Sequence, residues 1–278
     1  MSEERGSELG PHDQARRHMS DGMWLEEAQG DDELARKAYQ RAIDLGFPDT
    51  TAASAVNLGS LLSRHGDLDG ARDAYQLALD TGFPDIAPFA AINLAMVLEE
   101  QGDLNGARAA YQRAIDSGEE DVAPEAAGRL ATLLENQGDL QKAHAAYLQA
   151  MDSGHPEHGS MAAFNLGIML KKQGNTDEAQ TAYQRAIESG HPEFACISAA
   201  NLGYLLKRLG EIDRARASFQ QAIDMGHPRY SPAAAISLGT MLAENDDKAG
   251  ARAAYELAIS MDDPAAAQHA RELTADLG

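Results

Sequence analysis

Gly66-Asp67-Leu68-Asp69-Gly70-Ala71-Arg72-Asp73-Ala74-Tyr75-Gln76-Leu77-Ala78 is the stretch that decides the fold of this chain. Its aromatic recurs at Tyr39, Tyr75, Tyr111, Tyr147, Tyr183, Phe219 and Tyr255, every 36 residues, with no insertion or deletion. Ala71 belongs to a column that is alanine in all copies (Ala35, Ala107, Ala143, Ala179, Ala215, Ala251), and Ala78 to another (Ala42, Ala114, Ala150, Ala186, Ala222, Ala258). Ala, aromatic and Ala at offsets of four and three set one face of a helix against a neighbour, with side chains small enough for close approach. A fixed period of this length means one supersecondary unit stacked on copies of itself. Function is then expected on a long repeated surface rather than in one buried cleft.

Working outward, Leu58, Leu94, Leu130, Leu166, Leu202 and Leu238 are each followed by Gly or Ala and then by an apolar pair, such as Leu61-Leu62. That pattern is a first helix with a small residue at its tightest crossing. Pro88, Pro124 and Pro232 stand where such a helix opens, a place where a missing N–H costs nothing. Gly30, Gly66, Gly102, Gly138, Gly174 and Gly210 then break the chain. Asp31, Asp67, Asp103, Asp139, Asn175, Glu211 and Asp247 are positioned to cap the helix that follows. The second helix ends at Gly46, Gly82, Gly118, Gly154, Gly190 and Gly226. Each unit is therefore a helix hairpin, with Gly22 and Met23 standing where the first unit should carry Leu-Gly.

The Asn-Leu-Gly run, the Gly-Asp break, the Ala, the aromatic four later, the Ala three later and the turn Pro together resemble the tetratricopeptide repeat over residues 16 to 267. The period is two residues longer than the usual 34 of that family, with the extra length in the turn between units, which leans toward its Sel1-like variants. The resemblance implies an all-α, right-handed α-solenoid of seven repeats (16–51, 52–87, 88–123, 124–159, 160–195, 196–231 and 232–267). A flexible tail over 1–15 precedes them, and 268–278 completes a capping helix that begins near Pro264. It also implies a bacterial scaffold that binds a peptide or protein segment in a concave groove lined by first helices.

Composition narrows the function. The net charge is −21 with 44 acidic residues, many of them in the cap and turn columns, where local helix chemistry accounts for them. This acidity opposes binding to DNA or RNA, which needs concentrated Lys and Arg. No stretch approaches the roughly 18 apolar residues of a membrane span, and the start lacks the pattern of a signal peptide. A single cysteine, Cys196, leaves no disulfide framework. The expected location is cytoplasmic. No phosphate loop, nucleophile elbow or His-Glu-x-x-His occurs, so no catalytic residue, cofactor or metal is expected and the chain reads as a non-enzyme. His155, His191 and His227 share a column with Phe47 and Phe83. Stacked repeats separate equivalent atoms by on the order of 10 Å, whereas metal ligands converge at about 2 Å. These rings are expected to pack over the turn.

The first helices stop repeating, and ligand choice is expected there. One column persists: Asn57, Asn93, Asn165 and Asn201, departing to Arg129 and Ser237. It resembles the asparagine ladder with which superhelical repeats of this family grip peptide main chain, since a carboxamide both donates and accepts. The alternative is bonding within the hairpin. Beside it lie Val56, Phe89, Ile92, Met96, Phe164, Ile168, Ile197, Tyr204 and Ile236, which either anchor apolar side chains or pack inward. Phe89, Phe164 and Tyr204 are the expected anchors. Charge switches along these helix ends, from Glu99, Glu100 and Glu135 to Lys171, Lys172, Lys207 and Arg208. The basic cluster is expected to meet an acidic stretch or C-terminal carboxylate, although cations at helix ends also complement the dipole. Self-association into a homo-oligomer, and a role as regulatory or substrate-holding subunit of a separate enzyme, are the competing readings.

Overall fold

The Gly-Asp breaks fall where helices end. The computed structural model describes residues 9–277, and every element in that range is helical. The first helices of the seven hairpins are α1 (Pro11–Trp24), α3 (Pro48–Arg64), α5 (Ala87–Gln101), α7 (Val122–Asn136), α9 (His158–Gln173), α11 (Pro192–Arg208) and α13 (Ser231–Glu244). The second helices are α2 (Asp32–Asp44), α4 (Leu68–Asp80), α6 (Leu104–Asp116), α8 (Leu140–Asp152), α10 (Thr176–Glu188), α12 (Ile212–Asp224) and α14 (Lys248–Ser260). The last helix is α15 (Pro264–Asp276), and α1 runs directly into a π-helical turn at Leu25–Gln29.

Left-handed backbone at the break suits glycine: Gly102 has φ 81° and Gly174 φ 83°, values that a Cβ would penalise. In the seventh hairpin Asp246 holds that position at φ 63°, the only non-glycine with positive φ among the described residues. Asp31, Asp67, Asp103, Asp139 and Asp247 each accept a hydrogen bond from the backbone N–H three residues on. Asn175 and Glu211 do not cap in this way: the Asn175 amide donates to Gln173, and Glu211 pairs with Arg214. Pro48 and Pro192, turn prolines by sequence, open α3 and α11, while Pro88 and Pro232 lie one residue inside α5 and α13.

The chain forms two compact halves, one up to Leu133 and one from Leu134. In the first, α1 touches α3 and α3 touches α5, whereas α2, α4 and α6 do not reach one another. The second follows the same rule: α9, α11 and α13 meet in succession, and α8, α10, α12 and α14 stay apart. First helices therefore crowd together within each half.

Within a hairpin, glycine lets the first helix approach the second closely. A Cβ on Gly59 would stand 2.7 Å from the Tyr75 ring, on Gly167 2.6 Å from Tyr183, on Gly203 2.8 Å from Phe219 and on Gly239 2.5 Å from Tyr255. Each ring packs against a bare helix backbone and is almost fully buried, which stabilises the hairpin by roughly 1.5–3 kcal/mol relative to an exposed ring.

The first hairpin departs from the expected register. Gly22 does not stand in for Leu; it is itself the contact glycine, with its Cβ position 2.6 Å from Tyr39. Seventeen residues separate Gly22 from Tyr39, where sixteen separate Gly59 from Tyr75. The π-helical turn absorbs the extra residue, because a wider turn takes up one amino acid without breaking the helix. The helix also starts at Pro11, with Ala15 fully buried. Residues 11–15 of the expected flexible tail are thus helical, and 1–8 lie outside the described residues.

Candidate peptide-binding face

Residues spaced by three, four and seven share one side of a first helix. On α5 this places Phe89, Asn93 and Met96 together; Phe89 is 50% exposed and Met96 41%. Asn57 on α3 and Asn93 are half-buried, and neither side chain makes a hydrogen bond among the described residues. Ile92, one of the apolar positions beside the column, is buried and belongs to the core. Arg129, which interrupts the Asn column on α7, is held by Glu125 at 2.7 Å.

The hydroxyls of the buried tyrosines reach this same face, a feature that sequence reading missed. Tyr39 Oη donates to Glu26 (2.8 Å) and Tyr111 Oη to Glu99 (2.5 Å), while Tyr75 Oη bonds Ser60 (3.0 Å). Burial first, and then the neighbouring carboxylate, pushes Tyr39 and Tyr111 far above the usual phenol range. Glu26 is also paired with Arg64 at 2.6 Å. The signal was present in the sequence: Glu99 and Glu135 each precede a column tyrosine by twelve residues.

In the second half the column continues at Asn165 and Asn201. Asn165 is half-buried without a side-chain hydrogen bond among the described residues. Asn201 differs: its Nδ2 donates to the Ile197 carbonyl (2.9 Å) and its Oδ1 accepts from Lys171 Nζ (3.3 Å). Phe164 is half-buried against Phe194, ring centroids 6.0 Å apart. Tyr204 is 47% exposed, edge-on to Phe219 at 5.1 Å, with its hydroxyl bonded to Ser237.

The basic cluster divides. Lys172 is bound to Glu135 at 3.0 Å and Lys207 to Glu244 at 2.6 Å, so both charges are already matched. Lys171 and Arg208 have no acidic partner among the described residues. Burial first, then the positive charges of Arg208 and Lys172, hold the Lys171 amine below the ordinary lysine range. Tyr183, whose ring packs on Gly167 of the same hairpin, has a fully buried hydroxyl without a hydrogen-bond partner. At the two positions that supply partners to other column tyrosines, this hairpin carries Ile168 and Lys171.

The histidine column packs over the turns. His155 stacks on His158 (4.6 Å), His191 on Phe194 (4.9 Å) and His227 on Tyr230 (4.7 Å). Nδ1 of His191 accepts from the Phe194 N–H and so caps α11. No group of three or more His, Cys, Asp or Glu among the described residues could hold a metal ion. No described helix is long and apolar enough to cross a membrane.

The family model for the pre-mRNA-splicing factor Syf1/CRNKL1 C-terminal HAT repeat matches residues 9–234, and the tetratricopeptide repeat model matches residues 201–270. No curated protein matches the sequence. Among solved structures, the fold is similar to that of Pseudomonas aeruginosa pilF (18% identity, TM-score 0.55, covering 75% of this chain and 90% of that one). It is also similar to a tetratricopeptide repeat protein from Parabacteroides merdae (20%, 0.54, 95% and 99%). A third is c5321, a protective antigen of uropathogenic Escherichia coli with an SLR fold (22%, 0.56, 88% and 53%). At these identities the likeness is one of fold.

Proposed function

Because this chain belongs to the helical-repeat family of HAT and tetratricopeptide repeats, a family of protein–protein interaction scaffolds, we propose that each half holds an extended peptide segment of a partner on its own first-helix face. The observation that carries this reading is Asn57 with Asn93 in the first half, and Asn165 in the second: half-buried carboxamides at one position of the repeat whose side chains make no hydrogen bond among the described residues. A carboxamide left unbonded beside apolar neighbours is matched by a peptide group, which offers a donor and an acceptor whatever the side chain. Phe89 and Tyr204 supply apolar contact, with Phe164 contributing only the exposed part of its ring. Lys171 and Arg208 attract an acidic stretch or a terminal carboxylate, whereas Lys172 and Lys207 are paired with Glu135 and Glu244.

The test is affinity capture from whole-cell lysate with the wild type and with a variant carrying N57A, N93A and N165A, after checking that helicity and melting are unchanged. Loss of the captured protein from the variant supports main-chain reading by this column. Equal capture by both removes it and directs attention to the second helices or to self-association.

A further inference from the structure

Three lysines on α9 and α11 are each held by one neighbour, and the neighbours differ in charge. Lys172 is bound to the Glu135 carboxylate at 3.0 Å and Lys207 to the Glu244 carboxylate at 2.6 Å. Lys171 is bound instead to the Asn201 carboxamide, whose Oδ1 accepts from Nζ at 3.3 Å. A carboxylate cancels the charge that it holds, whereas a neutral acceptor fixes the amine in place and leaves its positive charge to act. Of the three lysines, Lys171 is therefore the one that is both placed and unmatched.

Asn201 is oriented for that contact. Its Nδ2 donates to the Ile197 carbonyl at 2.9 Å, one turn back on α11, so the amide end is engaged with its own helix. A carboxamide has one oxygen and one NH2 group, and fixing the second decides where the first points. The column supplies no such partner to its other members in the same way. Lys171 stands thirty residues before Asn201, but Ser63 stands thirty before Asn93 and Glu135 thirty before Asn165. Glu135 is already taken by Lys172 and Tyr147. Lys171 is half-buried, and burial first, then the charges of Arg208 and Lys172, hold its amine below the ordinary lysine range. A cation in that setting gains more from an anion than a fully solvated one does.

We infer that Asn201 is a positioning residue rather than a reader of peptide main chain, and that it aims Lys171 at a carboxylate of the bound partner. The inference rests on the anion contact proposed above for Lys171 and gives the fourth asparagine of the column a duty of its own. Both ends of the Asn201 carboxamide are engaged, so a peptide group would have to compete with Lys171 for its oxygen. Aspartate at this position keeps the shape and turns the contact off, because Lys171 would then be matched as Lys172 is.

The test has one readout that needs no ligand. In the full chain carrying ¹³C-labelled lysine, the Lys171 ε-methylene signal, identified by its loss in K171M, is followed against pH. N201D should raise the Lys171 midpoint by about one on the pH scale or more, since an adjacent negative charge favours the ammonium form. N201L should lower it, since an acceptor of the charged form is removed. Binding is then read by anisotropy with labelled, acetylated 12-residue peptides: alternating Glu and Ala with an amidated end, alternating Gln and Ala with an amidated end, and Gln and Ala with a free terminal carboxylate. The wild type should hold the first or the third over the second, and whichever it holds names the source of the carboxylate. That preference should fall about tenfold in N201D and K171M and about threefold in N201L, with melting unchanged. A Lys171 midpoint that neither Asn201 variant moves overturns the positioning role whatever the peptides do. Full preference in N201D beside a loss in K171M also overturns it, and leaves the anion contact of Lys171 standing. No preference in the wild type, or an undiminished one in K171M, overturns it together with that contact.

Discussion

The two halves of the chain use the same hairpin and give its inner position opposite chemistry. Up to Leu133, the hydroxyls of Tyr39 and Tyr111 are bonded to Glu26 and Glu99. In the second half Glu135 still serves Tyr147, but Lys171 and Lys207 take that position in the next two hairpins. Tyr183 is left without a hydroxyl partner, and Phe219 has no hydroxyl to satisfy. The ring column is common because it builds the core. What the ring's edge touches is free to vary, and a chain of near-identical repeats can thereby carry two different surfaces.

Predictions follow this contrast from the largest effect to the smallest. The shared core should be equally intolerant in both halves: Gly59→Val and Gly203→Val each drive side-chain atoms into a ring already within 3 Å of the added Cβ. Each should cost about 3 kcal/mol in urea denaturation. A much smaller loss at one site would show that the halves are not packed alike.

Reversing both charges in Lys171→Glu with Arg208→Glu should weaken binding of an acidic peptide about tenfold or more. Glu99→Lys with Glu100→Lys should not. The pH dependence has a defined sign. Burial and neighbouring cations depress the Lys171 pKa in the fold, and an anion favours the charged amine. Affinity should therefore be full below the folded pKa of Lys171 and fall as pH rises through it. A flat titration curve would remove Lys171 from the contact.

Tyrosine-to-phenylalanine changes sharpen the comparison most directly because the two halves should respond with opposite signs. Tyr111→Phe strips Glu99 of its donor and should destabilise by about 1 kcal/mol, whereas Tyr183→Phe removes a buried unpartnered hydroxyl and should stabilise by about 1 kcal/mol. Equal effects would mean that the Tyr183 hydroxyl is satisfied in solution. The smallest effect belongs to Asp246→Gly, which relieves a left-handed aspartate and should add roughly 0.5–1 kcal/mol by calorimetry.

The fold was legible because each feature that builds it is local and repeated. Gly at six of the seven breaks, Asp capping five of the second helices and a small residue beneath every ring are chain-neighbour rules repeated along the chain. The candidate site was legible only in part. The Asn column could be found by period, but Asn201 is bonded to Ile197 and Lys171 while Asn57, Asn93 and Asn165 are not. Lys172 and Lys207 looked equivalent to Lys171 and are neutralised by Glu135 and Glu244, partners 37 residues away in sequence.

By itself the sequence determined the hairpin, its period and the face on which variation is permitted, because these follow from backbone preferences and side-chain size at fixed spacing. Only the tertiary structure decided which polar groups on that face are already bonded, since that depends on how far one side chain reaches toward the next hairpin. It also decided the register of the first helix. A strict 36-residue count assigns Met23 to the crossing, yet the Tyr39 ring lies 2.6 Å from where a Cβ on Gly22 would stand, so the smaller Gly22 takes the contact and the π-helical turn Leu25–Gln29 takes up the extra residue.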